Sequence, residues 1–368
     1  MLNYMTLRTV ITLKEALMIQ NRLAMKKDKG SISTASTTQF QRYGISTVSI
    51  WVDVEHLLEQ GERIPCTLNA SIFGRYFFTK QGFNANKLNA SMKLVNDAAI
   101  PDKKLEWNTH RMGFVLKIDM SQISTDPDLL LGYIALLNKG YSLSGIHAEK
   151  TCDRKQKPTS ISYDNPKSKL HLSINADTNK NSLLLRLNIP QRKIFSYIKS
   201  KGEISSVKVD EIGHNAKSFE AFLWADYLAK ISGTSDYYPY KKAEEIIEGS
   251  GKSKTVKNNL FAVINGVAQF KGVDQFLSHI GDSNPSYSFM KVLSSEKSAK
   301  KYIRMLDHEL NVNPVTISRR DAVTLKADRL PNILSLINGD PYKDSVTTDI
   351  KENPLPQEYD SDMEFPPF

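Results

Sequence analysis

The sequence predicts an α+β fold: a mainly antiparallel sheet domain with helices, followed by a helical domain and a disordered acidic tail. Three observations predict it. Segments that alternate apolar with polar residues recur between residues 46 and 189, as half-buried strands do. Apolar residues at helical spacing dominate 217–280. Residues 340–368 carry eight acidic and two basic side chains, a composition that does not favour a packed core.

Composition limits the class of protein. The chain has 368 residues, of which 40% are hydrophobic, and this is enough for two domains and a tail. Cys66 and Cys152 lie far apart without zinc-ligand spacing, so we expect reduced thiols, a cytoplasmic location, and no cofactor or structural zinc. Charged residues interrupt every apolar run in 1–29, so we expect neither a signal peptide nor a membrane partner.

The predicted elements divide the chain into four regions. Residues 1–40 form a basic helix (12–27) and a linker, 41–205 the sheet domain, 206–335 the helical domain and 336–368 the tail. The predicted strands are 46–54, 66–78, 113–120, 141–147, 160–163, 170–175 and 183–189. The predicted helices are one that Asp126-Pro127 begins and Gly140 ends, followed by 190–201, 217–231, 241–248 and 260–280. We interpret the polar stretch 79–109 as a surface excursion.

One face of the predicted sheet is basic. On strands 170–175 and 183–189 the leucines and isoleucines share one face, and the opposite face carries the candidate DNA-binding residues Lys167, Lys169, His171 and Arg186. Such a face binds single-stranded DNA when aromatic side chains are there for bases to stack on, and Tyr163, Tyr76 and Phe78 are the candidates. The alternative is an ordinary solvated sheet face.

A loop rich in tyrosine is a second candidate DNA-binding element. Tyr237, Tyr238 and Tyr240 precede Lys241 and Lys242 in a segment that also contains glycine and proline. Tyrosines stack on bases and lysines bind phosphates, so the loop is suited to single-stranded DNA. The alternative is a loop that is stabilised by the packing of its own aromatic side chains.

Residues 301–326 resemble the helix-turn-helix of repressors related to the lac repressor. The first helix ends at Leu310, Asn311 takes the left-handed turn conformation, Val312 packs inward, and Asn313 and Pro314 begin the second helix. The resemblance implies that Val315 and Arg319 face base edges and that Thr316, Ser318 and Arg320 contact phosphates. The alternative is a purely structural helical hairpin.

Opposite charges are separated along the chain. Residues 1–339 contain 47 basic and 32 acidic side chains, so a body of charge +15 carries a tail of charge −6. A polyanionic tail competes with nucleic acid for a basic surface. The end of the tail resembles the C-terminal tip of bacterial single-stranded DNA-binding proteins, which binds replication and repair proteins. The residues that carry this resemblance are Asp360, Asp362, Glu364, Phe365, Pro367 and Phe368. The alternative is a solubilising tail.

An enzymatic function is the alternative to these binding functions. The order of elements in 113–201 loosely resembles that of rolling-circle replication initiators, with Asp119 and His171 as metal ligands and a tyrosine among 237–240 as the nucleophile. Two ligands hold a divalent metal weakly, so catalysis is not expected.

The sequence therefore supports a hypothesis of non-catalytic DNA binding in replication or recombination, with single-stranded DNA favoured. It suggests a phage, a plasmid or another mobile element as the source. In this hypothesis the tail recruits replication proteins. The alternatives are a nickase of the rolling-circle type and a helix-turn-helix transcriptional regulator.

Overall fold

The chain folds around one large antiparallel sheet. The computed structural model describes residues 2–27, 34–52, 66–79, 82–121, 123, 127–143, 146, 148–154, 157–165, 170–201, 216–280, 292–293, 295–318 and 328–337. The fold is α+β, as predicted, with ten strands in the main sheet. None of the helices in these ranges has both the length and the hydropathy that crossing a bilayer requires.

All strand pairs among the described residues are antiparallel. They are β1 (Leu2–Ile11), β2 (Lys26–Lys27), β3 (Thr34–Thr37), β4 (Ile45–Val52), β5 (Cys66–Phe73), β6 (Phe78–Thr79), β7 (Gly82–Phe83), β8 (Asn108–Asp119), β9 (Glu149–Cys152), β10 (Pro158–Asn165), β11 (Leu170–Asp177) and β12 (Ser182–Pro190). The main sheet has the order β2-β3-β4-β5-β1-β8-β12-β11-β10-β9, and β6 and β7 form a separate hairpin.

The helices lie between and after these strands. They are α1 (Leu13–Arg22), α2 (Gly74–Phe77), α3 (Ala85–Ala99), α4 (Pro127–Leu137), α5 (Gln191–Lys201), α6 (Ala216–Ser232), α7 (Tyr240–Gly249), α8 (Lys254–Gln269), α9 (Val273–His279), α10 (Glu296–Arg304) and α11 (Ile333–Ile337). A short π-helical segment, Met305–Glu309, continues α10.

The two halves of the sheet have the same topology. Each half begins with a central strand, β1 or β8, continues into a helix, α1 or α4, and returns through four meandering strands to pair with its own first strand. The two central strands pair with each other, with Met5 opposite Met112. This order is consistent with an approximate two-fold relation between the halves.

The core lies between one face of the sheet and the helices. Alternate residues of β5 and β12 point into it because side chains of a strand alternate between its two faces. The buried apolar residues of these two strands are Cys66, Leu68, Ala70, Ile72, Leu183, Leu185, Leu187 and Ile189. Helix α1 contacts β4 and β5, α4 contacts β10 and β11, and Phe219 of α6 contacts Phe114 of β8. One continuous core thus joins the sheet to the C-terminal helices.

The predicted N-terminal region is wrong in one respect. The helix predicted over 12–27 exists as α1, where Thr12 and Glu15 form a capping box. The preceding residues, however, form β1, which pairs with β5 and β8 at the centre of the sheet. Residues 1–40 are therefore not a separate helix and linker. Met5, Leu7 and Thr9 alternate along β1 and are buried, and the strand lies between β5 and β8.

Three further predictions need correction. The stretch 79–109 contains helix α3, whose buried residues face α1 and the core, so it is not a polar excursion. The strand predicted at 141–147 is reduced to one bridge between Leu143 and Ile146. The helix predicted at 260–280 is broken into α8 and α9 at Lys271, whose φ is 59°. The predicted tail begins too early, since α11 runs to Ile337, and residues 338–368 lie outside the described residues.

Candidate nucleic-acid interface

The face of the sheet that points away from the core is polar, with a basic centre. We call it the open face. In antiparallel strands, directly opposite residues share a face. Arg111 lies opposite Thr6, and Asn188, Arg186 and His171 continue the same face across β12 and β11. On the other side, Arg8 lies opposite Asn69, and Ser71 and Ser49 extend the face towards β4.

Two arginines meet at the centre of the open face. We call Arg8 and Arg111 the guanidinium pair. Arg8 donates from Nε to Asn69 Oδ1 at 2.8 Å. The register between β1 and β8 shifts at Thr6 and Leu7, which leaves His110 as an extra residue between Thr109 and Arg111. Such a bulge turns a strand and redirects its side chains. It brings Arg111 onto the same side as Arg8.

The guanidinium pair has no compensating anion among the described residues. Neither arginine forms an ion pair within those ranges, and the buried Nε of Arg111 has no hydrogen-bond partner there. Burial, and after it the charge of Arg111, lowers the pKa of Arg8. Two like charges held side by side repel each other, so an anion bound between them lowers the electrostatic energy of the site.

An aromatic ring lies beside the guanidinium pair. Tyr4 lies opposite Gly113, and a Cβ placed on Gly113 would lie only 2.1 Å from Cε1 of the Tyr4 ring. The ring therefore covers the backbone of β8 at a place where only glycine leaves room for it. Burial raises the pKa of Tyr4, and the charge of Arg111 partly offsets that rise. Tyr4 is only partly buried, so it offers a platform on which a base can stack.

Two other aromatic residues occupy the open face of the first half. Phe73 lies opposite Tyr4, and Trp51, 38% exposed, lies opposite Thr67. The aromatic residues proposed from sequence are elsewhere. Tyr163 points into the core and is 1% exposed, because it pairs with Leu172 on the covered face.

The predicted basic residues of β11 and β12 are on the open face. Arg186 is exposed, as predicted, and lies opposite Val115. His171 is partly exposed, and its Nδ1 is 3.9 Å from Asp164. Asp119 and Asp177 lie at the opposite end of the face from His171, both in register with Ser182, and Lys117 lies beside them. Arg8, Arg111 and Arg186 lie nearer the centre. Lys167 and Lys169 lie outside the described residues.

The tyrosine loop is a structural hub rather than an exposed stacking surface. Tyr237 is 1% exposed, and its backbone forms two hydrogen bonds with Leu330, of 2.9 and 2.8 Å. Burial raises the pKa of Tyr237 far above its usual value. Tyr240 is partly buried and donates to Asn265 Oδ1 at 2.6 Å, and burial raises its pKa to about 12.

The remaining predicted residues of this loop lie nearer the surface. Tyr238 is partly buried, whereas Lys241 and Lys242 are exposed on α7. The Nζ of Lys242 is 3.1 Å from Glu245. These side chains are on the helical side of the molecule and not on the open face. The prediction that Tyr237 stacks on bases is wrong, because its ring is buried in the core.

Asp307 and two asparagines hold this loop in place, and we call the three the polar hub. Asp307 accepts from Thr234 N at 3.0 Å and from Ser235 N at 2.8 Å. The Nδ2 of Asn313 donates to Ser232 O at 2.6 Å, and that of Asn332 donates to Ser235 O at 2.9 Å. Buried backbone groups need such partners. The signal available in the sequence was Asp307, a carboxylate within the first helix of the predicted helix-turn-helix.

The second helix of the predicted helix-turn-helix does not form over 314–318. Asn311 has the expected left-handed conformation, with φ 51°, and Val312 is buried as expected. Pro314 and Val315 form a bend and Ile317 forms an isolated bridge instead. Ile317 N donates to Tyr238 O at 2.9 Å, and this bond ties the segment to the tyrosine loop. Val315 and Thr316 are buried, so the prediction that they contact DNA is wrong. Ser318 is exposed, and Arg319 and Arg320 lie outside the described residues.

The two metal ligands proposed for a nickase are not brought together. Through Asn188, His171 is aligned with Gly113, whereas Asp119 lies six residues further along β8, about 20 Å away at the rise of a strand. Within the described ranges, no three metal-binding side chains form a cluster. Cys66 and Cys152 are free thiols, as expected. The tip residues Asp360, Asp362, Glu364, Phe365, Pro367 and Phe368 lie outside the described residues.

Neither a protein-family model nor a curated protein matches this chain. A function for this chain is therefore inferred from the chemistry of the open face.

Proposed function

We propose that the chain is a cytoplasmic DNA-binding protein that holds single-stranded DNA on the open face and acts in replication or recombination, in a mobile element. The observation that carries the proposal is the guanidinium pair, Arg8 and Arg111, beside the Tyr4 ring. A phosphate relieves the repulsion between the two guanidinium groups, and a neighbouring base stacks on the ring. A base inside a duplex already stacks on both sides, so the combination favours single strands.

The experiment is a titration of the full chain with labelled single-stranded and duplex oligonucleotides at several salt concentrations. Arg111→Ala removes one phosphate contact, so we expect the slope of log affinity against log salt for single strands to fall by about 0.7. Tyr4→Ala removes one stacking platform and is expected to cost about 1–3 kcal/mol of binding free energy with little change in that slope.

Arg22→Ala is the matched control, because Arg22 is exposed on α1, which lies on the covered side of the sheet. We expect it to bind as the unchanged protein does. Equal affinity for single and double strands, or an Arg111→Ala variant with unchanged salt dependence, would refute the proposal.

We also propose that the acidic segment 340–368 recruits replication proteins through Phe365 and Phe368. Its charge and aromatic content support this role. Replacing both phenylalanines with alanine leaves the charge unchanged, so DNA affinity should stay constant while binding to purified replication proteins is lost. Retained binding to those proteins would contradict the recruitment and leave the open face unaffected.

A further inference from the structure

A cavity at the edge of the sheet, on the helix side, is separate from the open face. We call it the edge cavity. Its volume is about 310 Å³, at the lower end of the range for small-molecule sites. The residues of its wall that matter here are Asn138 and Tyr141 after α4, Lys150 of β9, Tyr163 of β10, and Lys271 and Asp274 where α9 begins.

The wall of the edge cavity is fixed by backbone contacts. Tyr141 N donates to Ile231 O at 3.0 Å, and Val273 N donates to Lys139 O at 3.0 Å. A Cβ at Gly140 would lie 2.1 Å from the same Ile231 oxygen, so this close approach requires glycine. The cavity is therefore preformed, which lowers the entropic cost of binding.

Two tyrosine hydroxyls of the wall are open to the cavity. Tyr163 is 1% exposed and Tyr141 is partly buried, and within the described ranges neither hydroxyl forms a hydrogen bond. Neither oxygen is among the fully buried polar atoms that lack a partner in those ranges, so both can be reached from the cavity. A polar ligand in the cavity can therefore form hydrogen bonds with them.

The cavity also combines cations with aromatic side chains. Lys150 and Lys271 are exposed and form no ion pair in the described part of the chain. Lys271 has a φ of 59°, a left-handed conformation that costs free energy for a residue with a side chain. Such strain is often found at binding sites. Phe270, which stacks on His279 with ring centroids 4.5 Å apart, contributes an aromatic wall.

We propose that the edge cavity binds a nucleoside monophosphate. The phosphate is held by Lys150 and Lys271, and the base lies against the aromatic wall within reach of the Tyr141 and Tyr163 hydroxyls and the carboxylate of Asp274. Inorganic phosphate would use only the lysines, and a sugar phosphate would leave the aromatic wall uncovered. A wall that combines lysines, aromatic rings and hydroxyl groups therefore selects a ligand with an anionic group and a flat, hydrogen-bonding ring.

The test is calorimetric titration of the full chain with dGMP and dTMP, and with inorganic phosphate and ribose 5-phosphate as separate probes. We expect saturable binding of at least one nucleotide and much weaker binding of the other two probes. Tyr163→Phe removes only a hydroxyl and is expected to weaken nucleotide binding about fivefold. Lys271→Gly keeps the backbone conformation and is expected to weaken it by a similar factor. Lys297→Ala, on the exposed surface of α10, is the control and should bind normally.

Any one of three results would overturn the proposal. They are no saturable nucleotide binding, binding of ribose 5-phosphate as tight as that of the nucleotides, and unchanged nucleotide binding by Tyr163→Phe. Arg111→Ala separates this site from the open face. If that variant loses nucleotide binding, the nucleotide is bound on the open face and the edge cavity is not its site. If nucleotides bind normally while oligonucleotides do not bind at all, the proposed function fails and the edge cavity stands.

Discussion

Gly113 shows how a missing side chain shapes the candidate interface. The Tyr4 ring occupies the space where a Cβ of residue 113 would be, 2.1 Å from Cε1. In Gly113→Ala the ring has to leave the sheet surface, so we expect single-strand affinity to fall by about 1–3 kcal/mol, the contribution of one stacked base. The cost of overpacking should also lower the free energy of unfolding by about 1–3 kcal/mol. Oligonucleotide titration and urea unfolding measure the two effects.

Gly249→Ala is the control for this substitution, because no atom of the described residues outside its own helix backbone lies within 4 Å of a Cβ built there. It should leave single-strand affinity unchanged and should not lower the free energy of unfolding. If Gly113→Ala binds single strands as tightly as the unchanged protein, Tyr4 is not a stacking platform.

Asp307 is the residue on which the polar hub depends. Its carboxylate accepts from Thr234 N at 3.0 Å, Thr234 Oγ1 at 3.0 Å and Ser235 N at 2.8 Å. Asp307→Asn replaces one accepting oxygen with an NH₂ group that faces these donors. We expect a loss of about 3 kcal/mol in the free energy of unfolding, measured with urea. Asp226→Asn, which removes only a surface pair with Lys230, should cost less than about 1 kcal/mol. Equal losses in the two variants would contradict this role.

The loop between α6 and α7 makes part of the stability depend on pH. Burial raises the pKa of Asp236, and the N–H of Asn332 and the charge of Arg329 partly offset the rise. A carboxyl group with a raised pKa holds its proton more tightly in the folded state. The stability it contributes is present below its unfolded pKa and is lost as pH rises through the folded pKa.

Asp236→Asn should therefore remove this loss. We expect the free energy of unfolding of the variant minus that of the unchanged protein to increase as pH rises from about 4 through the folded pKa of Asp236. Urea unfolding of both proteins at each pH measures it. Parallel pH curves would show that Asp236 has the same pKa in both states.

The elements that sequence reasoning found are those with a strong local period. Strands β4, β11 and β12 alternate clearly, and α4 and α6 have helical spacing, so each was predicted close to its observed range, whereas β8 begins five residues before its predicted start. What could not be predicted is decided by partners distant in the chain. The helix expected after Pro314 is lost to hydrogen bonds from the tyrosine loop. Arg8 and Arg111 are 103 positions apart, and only the register of β1 on β8 brings them together.

The sequence therefore predicted the kind of site, a basic sheet face, but only some of the residues that form it. A basic sheet face with aromatic residues was expected, and Arg186 and His171 lie on it. Tyr4 and Arg8 were missed because 1–11 was not recognised as a strand, although its alternation was the available signal. Tyr163 was assigned to the wrong face, since Leu172, its partner, points into the core.

At the scale of the whole molecule, charge separation along the chain predicts competition. The body has a charge of +15 and residues 340–368 have a charge of −6. Removing the residues after Gly339 should therefore raise the affinity for single-stranded DNA at low salt. The gain should shrink as salt increases, because screening shortens the range of attraction between the tail and the body. Equal affinities of the two proteins at low salt would exclude competition.

The sheet repeats one topology twice, but its two halves present different side chains. On the open face the first half offers Trp51 and Phe73, while the second offers Arg186 and His171. A nucleic-acid strand also differs between its 5′ and 3′ directions. The two directions present the phosphate and its adjoining base to Arg8, Arg111 and Tyr4 with different geometry, so we expect one direction to bind more tightly. A dye at the 5′ end and the same dye at the 3′ end should thus be quenched unequally by Trp51, which gives the bound strand a measurable polarity.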